Sequence, residues 1–192
     1  LAGYELSIQD HRVVGLNLVA PEDFEAARQN YSLHMEMLKA LGSSYPQVGL
    51  TLHAGELTAG LVAPEELDFH IRQAVEVAGA RRIGHGIDIM YENNPRQLLS
   101  SMADKHTMVE ICLTSNDVIL GVRAADHPMH LYMDNGVPTA LATDDPGVAR
   151  SNVMGEYLKG VQDQGLDYRQ LKKMARNIHS PRAGASGVIS TN

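Results

Sequence analysis

Five short apolar stretches punctuate the chain. They are "RVVGLNLV" (12–19), "VGLTLH" (48–53), "RRIGHGI" (81–87), "MVEICLT" (108–114) and "PTALATD" (138–144). Most are continuous apolar runs, which predicts parallel strands buried on both faces. The segments between them carry apolar residues at three- and four-residue spacing, the period of a helix stripe. "PEDFEAARQNYSLHMEMLKAL" (21–41) opens with Pro21 and acids, and places Phe24, Ala27, Tyr31, Met35 and Leu38 along one side. "PEELDFHIRQAVEVAG" (64–79) repeats the plan and stops at Gly79. "NPRQLLSSMADK" (94–105) and the shorter "HPMHLYMDNG" (127–136) predict two further helices, and two more are expected near 151–162 and 167–178.

The predicted strands begin near residues 12, 48, 81, 108 and 138. A spacing of about 30 residues is that of repeated βα units and hence of a parallel sheet. A (β/α)8 barrel uses about 250 residues, so this length has room for roughly six units. An open, doubly wound sheet would accommodate five strands equally well, and the pattern alone leaves both architectures standing. No internal repeat, low-complexity tract or linker divides residues 1–178, which are expected to form one unit. The last stretch, "SPRAGASGVISTN" (180–192), is small, polar and aperiodic, so residues 179–192 read as a flexible tail.

Composition narrows the function classes. The 192 residues are 44% hydrophobic and 20% charged, ordinary for a soluble globular chain. Net charge is −7 with no block of like charges, which argues against a nucleic-acid or anionic-membrane surface. A small nucleotide-like ligand stays open, because a pocket rather than a charged patch receives it. A run of about 18 apolar residues, the minimum for a membrane span, is absent. The one cysteine, Cys112, sits in an apolar run and reads as a buried free thiol, which fits a reducing, cytoplasmic setting.

The chemistry-bearing residues collect where the strands end. The second strand ends in His53 with Glu56 three positions on, and the third in His85 between two glycines. The fourth runs into Thr114, Ser115, Asn116 and Asp117, and the fifth into Asp144 and Asp145. Ligands bind parallel α/β sheets at the carboxyl ends of the strands, so these residues would face one rim. Positions i and i+3 of a strand point apart, so His53 and Glu56 converge only if the chain bends, and Gly55 permits that bend. Alone, "HAGE" reads as well as a strand, a turn and a solvated acid. Imidazole and carboxylate together suit metal-assisted hydrolysis, in which zinc lowers the pKa of its water to about 7 and a carboxylic acid delivers a proton.

Taken together, "TLHAGE", "RRIGHGI", "EICLTSN" and "LATDDPGV" resemble the successive strand-end motifs of the adenosine deaminase family of metal-dependent amidohydrolases, in order and at suitable spacing. The resemblance covers about residues 10–178. It implies a (β/α)8 TIM-barrel fold with one Zn2+ per complete active site, and a purine nucleoside substrate whose 6-amino group is removed hydrolytically, adenosine giving inosine and ammonia. By position, it assigns His53 as a zinc ligand and Glu56 as the acid that protonates purine N1. His85 would polarise or deprotonate the attacking water, Asp144 would bind zinc and touch that water, and Asp145 would meet purine N7.

Two departures qualify the resemblance. The family's H-x-H zinc ligands from its first strand have no counterpart, and the nearest pair, His127 and His130, reads as structural or surface. The expectation is therefore a partial barrel of about five parallel strands, strands four to eight of the family fold. Its metal site would be incomplete, and its exposed sheet edges would invite self-association. Ala20 also stands near the place where family members put a purine-contacting glycine. Two other readings are a different amidohydrolase and a non-catalytic fragment or paralogue. Binuclear amidohydrolases often carry a bridging lysine at the end of strand four, and "VVGLNLVAPED" has none. Ser115 and Asn116 read as loop anchors, and His11, His34, His70, His106 and His179 as surface.

Overall fold

The computed structural model describes residues 1–178; the expected tail at 179–192 lies outside the described residues. Five parallel strands, β1 (Gly15–Leu18), β2 (Gly49–Ala54), β3 (Arg82–His85), β4 (Met108–Ile111) and β5 (Thr139–Leu141), form one sheet in the order β1-β2-β3-β4-β5. That order settles the choice left open by the periodicity. A doubly wound sheet reverses direction at a switch point, whereas here each crossover advances to the next strand. With right-handed crossovers the helices then fall on one face, which is the wall of a (β/α) barrel.

The helices are α1 (Ala2–Gln9), α2 (Glu25–Ser44), α3 (His70–Arg72), α4 (Pro95–Lys105), α5 (Leu113–Leu120), α6 (Met129–Asp134), α7 (Pro146–Ala149), α8 (Val153–Gln162) and α9 (Tyr168–Ile178). Their apolar stripes and one face of the sheet make the main core. Leu50, Leu52, Ile83, Val109, Ile111 and Leu141 from the strands meet Tyr31, Met35, Leu98, Met102, Tyr132 and Met174 from the helices. Local sequence sets the ends: Pro95 occupies the first turn of α4, and the Asn152 side chain accepts the Gly155 N–H at 2.9 Å to cap α8.

Several expectations are corrected. The predicted helix over 64–79 is broken into a 3-10 turn (Pro64–Glu66), the short α3 and a π turn (Gln73–Val77). The fourth strand stops at Ile111, and Thr114 to Asp117 belong to α5, whose first turn uses the same apolar residues that read as strand. Nor are the strands apolar on both faces. Opposite the helices, Arg82 pairs with Glu110, and Thr51 Oγ1 donates to Glu110 Oε1 at 3.4 Å. Charges that satisfy one another are tolerated on this half-buried inner face, and within short apolar runs they did not betray the alternation. His70, expected at the surface, is fully buried between Phe69 and Tyr31, with ring centroids at 4.2 and 4.4 Å.

Candidate active site

The carboxyl ends of the strands border a cavity of about 640 Å³, of the size that takes a small ligand. Its wall includes Asn17, Ala20, Glu22, His53, Glu56, Asp144 and Asp145. His53 sits in β2 on the inner face of the sheet, next to Thr51 in the alternation. His85 ends β3 opposite Ala54, whose side faces the core. Strict alternation would send its ring toward the helices. Its backbone instead has φ +68°, a left-handed value uncommon outside glycine, and the ring lies 4.9 Å from that of His53.

The bend after His53 is built by two devices. Gly55 has φ +79°, and a Cβ there would collide with Asp88 Oδ1 and with Ile71. The buried Glu22 carboxylate accepts the N–H groups of both Gly55 and Glu56 at 2.9 Å. The turn is thereby closed, and Glu56 Oε1 comes to 3.5 Å from His85 Nδ1. His53, Glu56 and His85 each offer one donor atom, and these lie within 4.8 Å of one another. Asp144 borders the same cavity from beyond β5, also with a left-handed backbone (φ +55°), and its Oδ2 accepts the Ser115 hydroxyl at 2.7 Å. Asp145 follows on the exposed rim at the start of α7.

Electrostatics separate the roles. Burial pushes the Glu56 carboxyl up to about 8, aided by the negative Asp144, Glu22, Asp145 and Asp23, so it is a protonated acid at neutral pH. Burial lowers His53, although Asp144 and other acids oppose it, and carries His85 down to about 4 with the help of His53. Both rings are therefore neutral, the form that binds a metal. Glu56 Oε1 is a buried oxygen with no hydrogen-bond partner, and two neutral imidazoles stand beside it. The neutral His53 ring and the Asp144 carboxylate border the same cavity and are donor types zinc takes, so these two residues fit such an ion.

The structure adds residues that the sequence did not single out. Glu22 read only as a helix-start acid, yet it holds the Glu56 turn. Asn17 Nδ2 lies 3.4 Å from His53 Nδ1. Asn116 and Ser115, expected to tie down a strand-end loop, do so within the site itself: the first turns of α5 aim them at His85 at the end of β3 (2.9 Å) and at Asp144 beyond β5. His127 is buried and bonds Asn116 at 3.2 Å.

The chain has known relatives. A family model described as adenosine deaminase matches residues 2–181. The chain belongs to the adenosine deaminase family. Adenosine deaminase of Escherichia coli is 35% identical over 129 residues, covering 67% of this chain and 35% of that protein. The enzyme of Pseudoalteromonas translucida is 34% identical over 146 residues, covering 76% and 40%. The chain thus spans well under two thirds of the length of these relatives. Among solved structures, the N6-methyl-AMP deaminase of Arabidopsis thaliana is 26% identical with a TM-score of 0.58, covering 90% of this chain and 46% of that one. An adenine deaminase from Arthrobacter aurescens (20% identical, TM-score 0.69, covering 95% and 51%) and a zinc-bound amidohydrolase from Burkholderia ambifaria (18%, 0.66, covering 91% and 46%) share the fold. Among the described residues no helix is long and apolar enough to cross a membrane.

Proposed function

We propose that this chain supplies the carboxyl-side half of an active site for zinc-dependent hydrolytic deamination of a 6-aminopurine, adenosine first among the candidates. The observation that supports this most directly is the acid at the bend. Glu56 is protonated near neutrality, faces a cavity large enough for a nucleoside, and lies beside two neutral histidines. An acid in that state can give its proton to a ring nitrogen of the purine as the exocyclic amine becomes a leaving group. A zinc ion held by His53 and Asp144, with further ligands from outside this chain, would make hydroxide available near pH 7.

The remaining side chains orient the reaction. Ser115 fixes the Asp144 carboxylate by its hydrogen bond. Glu22 holds the backbone turn from which the Glu56 side chain projects. Asp145, exposed on the rim of the same cavity, would meet the N7 edge of a purine. The second cavity, about 290 Å³ between β1, β2 and α2, shares Ala20, Glu22 and His53 with the first and is lined mainly by apolar groups. The partners this reading proposes are small purine-like molecules.

The test is metal analysis and turnover of the full-length protein. Zinc near one equivalent per chain, with release of ammonia from adenosine, adenine or an adenine nucleotide, supports the reading. Stoichiometric zinc without turnover of any 6-aminopurine overturns it.

A further inference from the structure

The cavity at the strand ends has two kinds of wall. His53, Glu56, Asp144 and Asp145 lie at or just beyond the strand ends and carry its polar groups. Leu61 and Ile119 line it from farther along the chain, Leu61 between β2 and α3 and Ile119 in the last turn of α5. Both are large apolar side chains left open, Leu61 45% and Ile119 60% exposed. Neither is exposed because its backbone is loose. The segment around Leu61 has a small core of its own, in which Leu57 and Leu67 are fully buried and Val62 nearly so. The Leu61 N–H donates to Thr58 O at 3.1 Å, Glu66 Oε2 accepts the Ala63 N–H at 3.3 Å, and Arg28 pairs with Glu66. Of these leucines and valine, only Leu61 turns from that core to the cavity. The helix that carries Ile119 is pinned by the fully buried Asn116 and by Lys159, which pairs with Asp117 at 3.4 Å. The fold thus holds two apolar side chains against a concave polar site where neither adds to the core. Such surface gains when a ligand covers it.

A purine ring presents hydrogen-bonding atoms at its edge and apolar surface on its faces. The acids and histidines at the strand ends can serve the edge, but a face needs apolar contact. We propose that Leu61 and Ile119 are specificity-determining residues that cover one face of the purine ring whose edge meets Glu56 and Asp145. This inference rests on the deaminase reading, and adds to it the residues that hold the substrate without touching the reacting atoms. The cavity wall also suits a neutral ring: among the described residues that line it, none is a lysine or arginine that could offset a negative group laid against these two side chains. Leucine and isoleucine have no group that gives or takes a proton. They therefore bind the ground state and the transition state alike, and their loss weakens binding without slowing the chemical step.

The experiment is steady-state kinetics of the full-length, zinc-loaded protein with adenosine, adenine and an adenine nucleotide, for the parent, Leu61→Ala and Ile119→Ala, with thermal unfolding of each. Either truncation should raise KM about tenfold for whichever of these the parent accepts. The kcat should stay within about twofold of the parent, the pattern of lost uniform binding. Calorimetric titration with the deaminated product, which has no amine to lose, should show the same loss of affinity. The volume-conserving Leu61→Met and Ile119→Leu should keep KM near that of the parent. Both positions are open to solvent, so Tm should hold and the variants should fold. Met154→Ala is the control: the residue is 77% exposed on α8, outside the cavity wall, and its loss should change neither KM nor Tm. An active parent with unaltered KM in both truncations overturns this inference alone. A lowered Tm with unaltered KM also overturns it, since Leu61 and Ile119 would then pack against protein and not against substrate. A parent that turns over no 6-aminopurine overturns the deaminase reading, and this inference with it.

Discussion

Replacing Gly55 by alanine isolates the bend on which the site depends. Two costs add. At φ +79° a Cβ meets left-handed strain of about 1–2 kcal/mol. The same Cβ runs into Asp88 Oδ1 and comes within 2.9 Å of Ile71 Cδ1 and Cγ1, an overpacking cost of about 1–3 kcal/mol. The backbone cannot relax cheaply. Gly55 N is held by Glu22 at 2.9 Å, and Gly55 O accepts from Ile87 N at 2.7 Å and Asp88 N at 3.3 Å. The sum, about 2–5 kcal/mol, is a large share of a typical domain's 5–15 kcal/mol. Gly60 is the internal control: its φ is +97°, but nothing lies within 4 Å of an added Cβ, so Gly60→Ala should show the strain without the collision. Urea unfolding of both variants measures the difference, and turnover of the folded Gly55→Ala protein should fall as Glu56 is displaced. Equal stability losses for the two variants would refute the argument that Gly55 is wedged against Asp88.

Three further outcomes are expected. Glu22→Gln leaves one acceptor oxygen for two backbone N–H groups and should cost about 1–3 kcal/mol, read from the urea midpoint, with a lower kcat as the Glu56 turn loosens. His70 is held neutral by burial, its pKa lowered from 6.5 to about 4. The folded state therefore binds fewer protons than the unfolded state in that interval. Its contribution is fully present above pH 6.5 and is lost as pH falls toward 4, up to about 3 kcal/mol. His70→Phe, which keeps the stack on Phe69 and Tyr31, should flatten the stability profile across that window. Finally, the two sheet edges differ: Asn177 Nδ2 covers Thr139 O on β5 at 2.8 Å, whereas β1 leaves Leu18 and the adjoining Val19 exposed. Light scattering of the 192-residue chain should show association that Leu18→Lys reduces, and a monomeric parent would contradict it.

Much of this was legible because apolar runs and punctuation carry the βα repeat directly. The strand centres, the ends of α4 and α8, and the gathering of His53, Glu56, His85, Asp144 and Asp145 around one end of the sheet all follow from where those runs stop. What stayed hidden depends on contacts far apart in sequence. Glu22 lies 33 residues from the amide it holds at Gly55, and Asn116 lies 31 from His85. The helix over 64–79 kept its apolar spacing but not its backbone, which tightens and widens in turn. His70 is a polar residue between helix formers, and only the rings of Phe69 and Tyr31 show it to be a core residue. The β4–α5 boundary was blurred because "ICLT" serves a buried strand and a buried helix start equally well.

The central claim is that Glu56 delivers a proton to the substrate, and Glu56→Gln tests it most directly. Glutamine keeps the shape and the backbone bonds to Glu22 but has no acidic proton. In the zinc-loaded full-length protein, steady-state deamination of adenosine, or of whichever 6-aminopurine the parent accepts, should fall by about 10²–10⁴ while zinc content stays that of the parent. Turnover by Glu56→Gln within a few-fold of the parent would contradict the account.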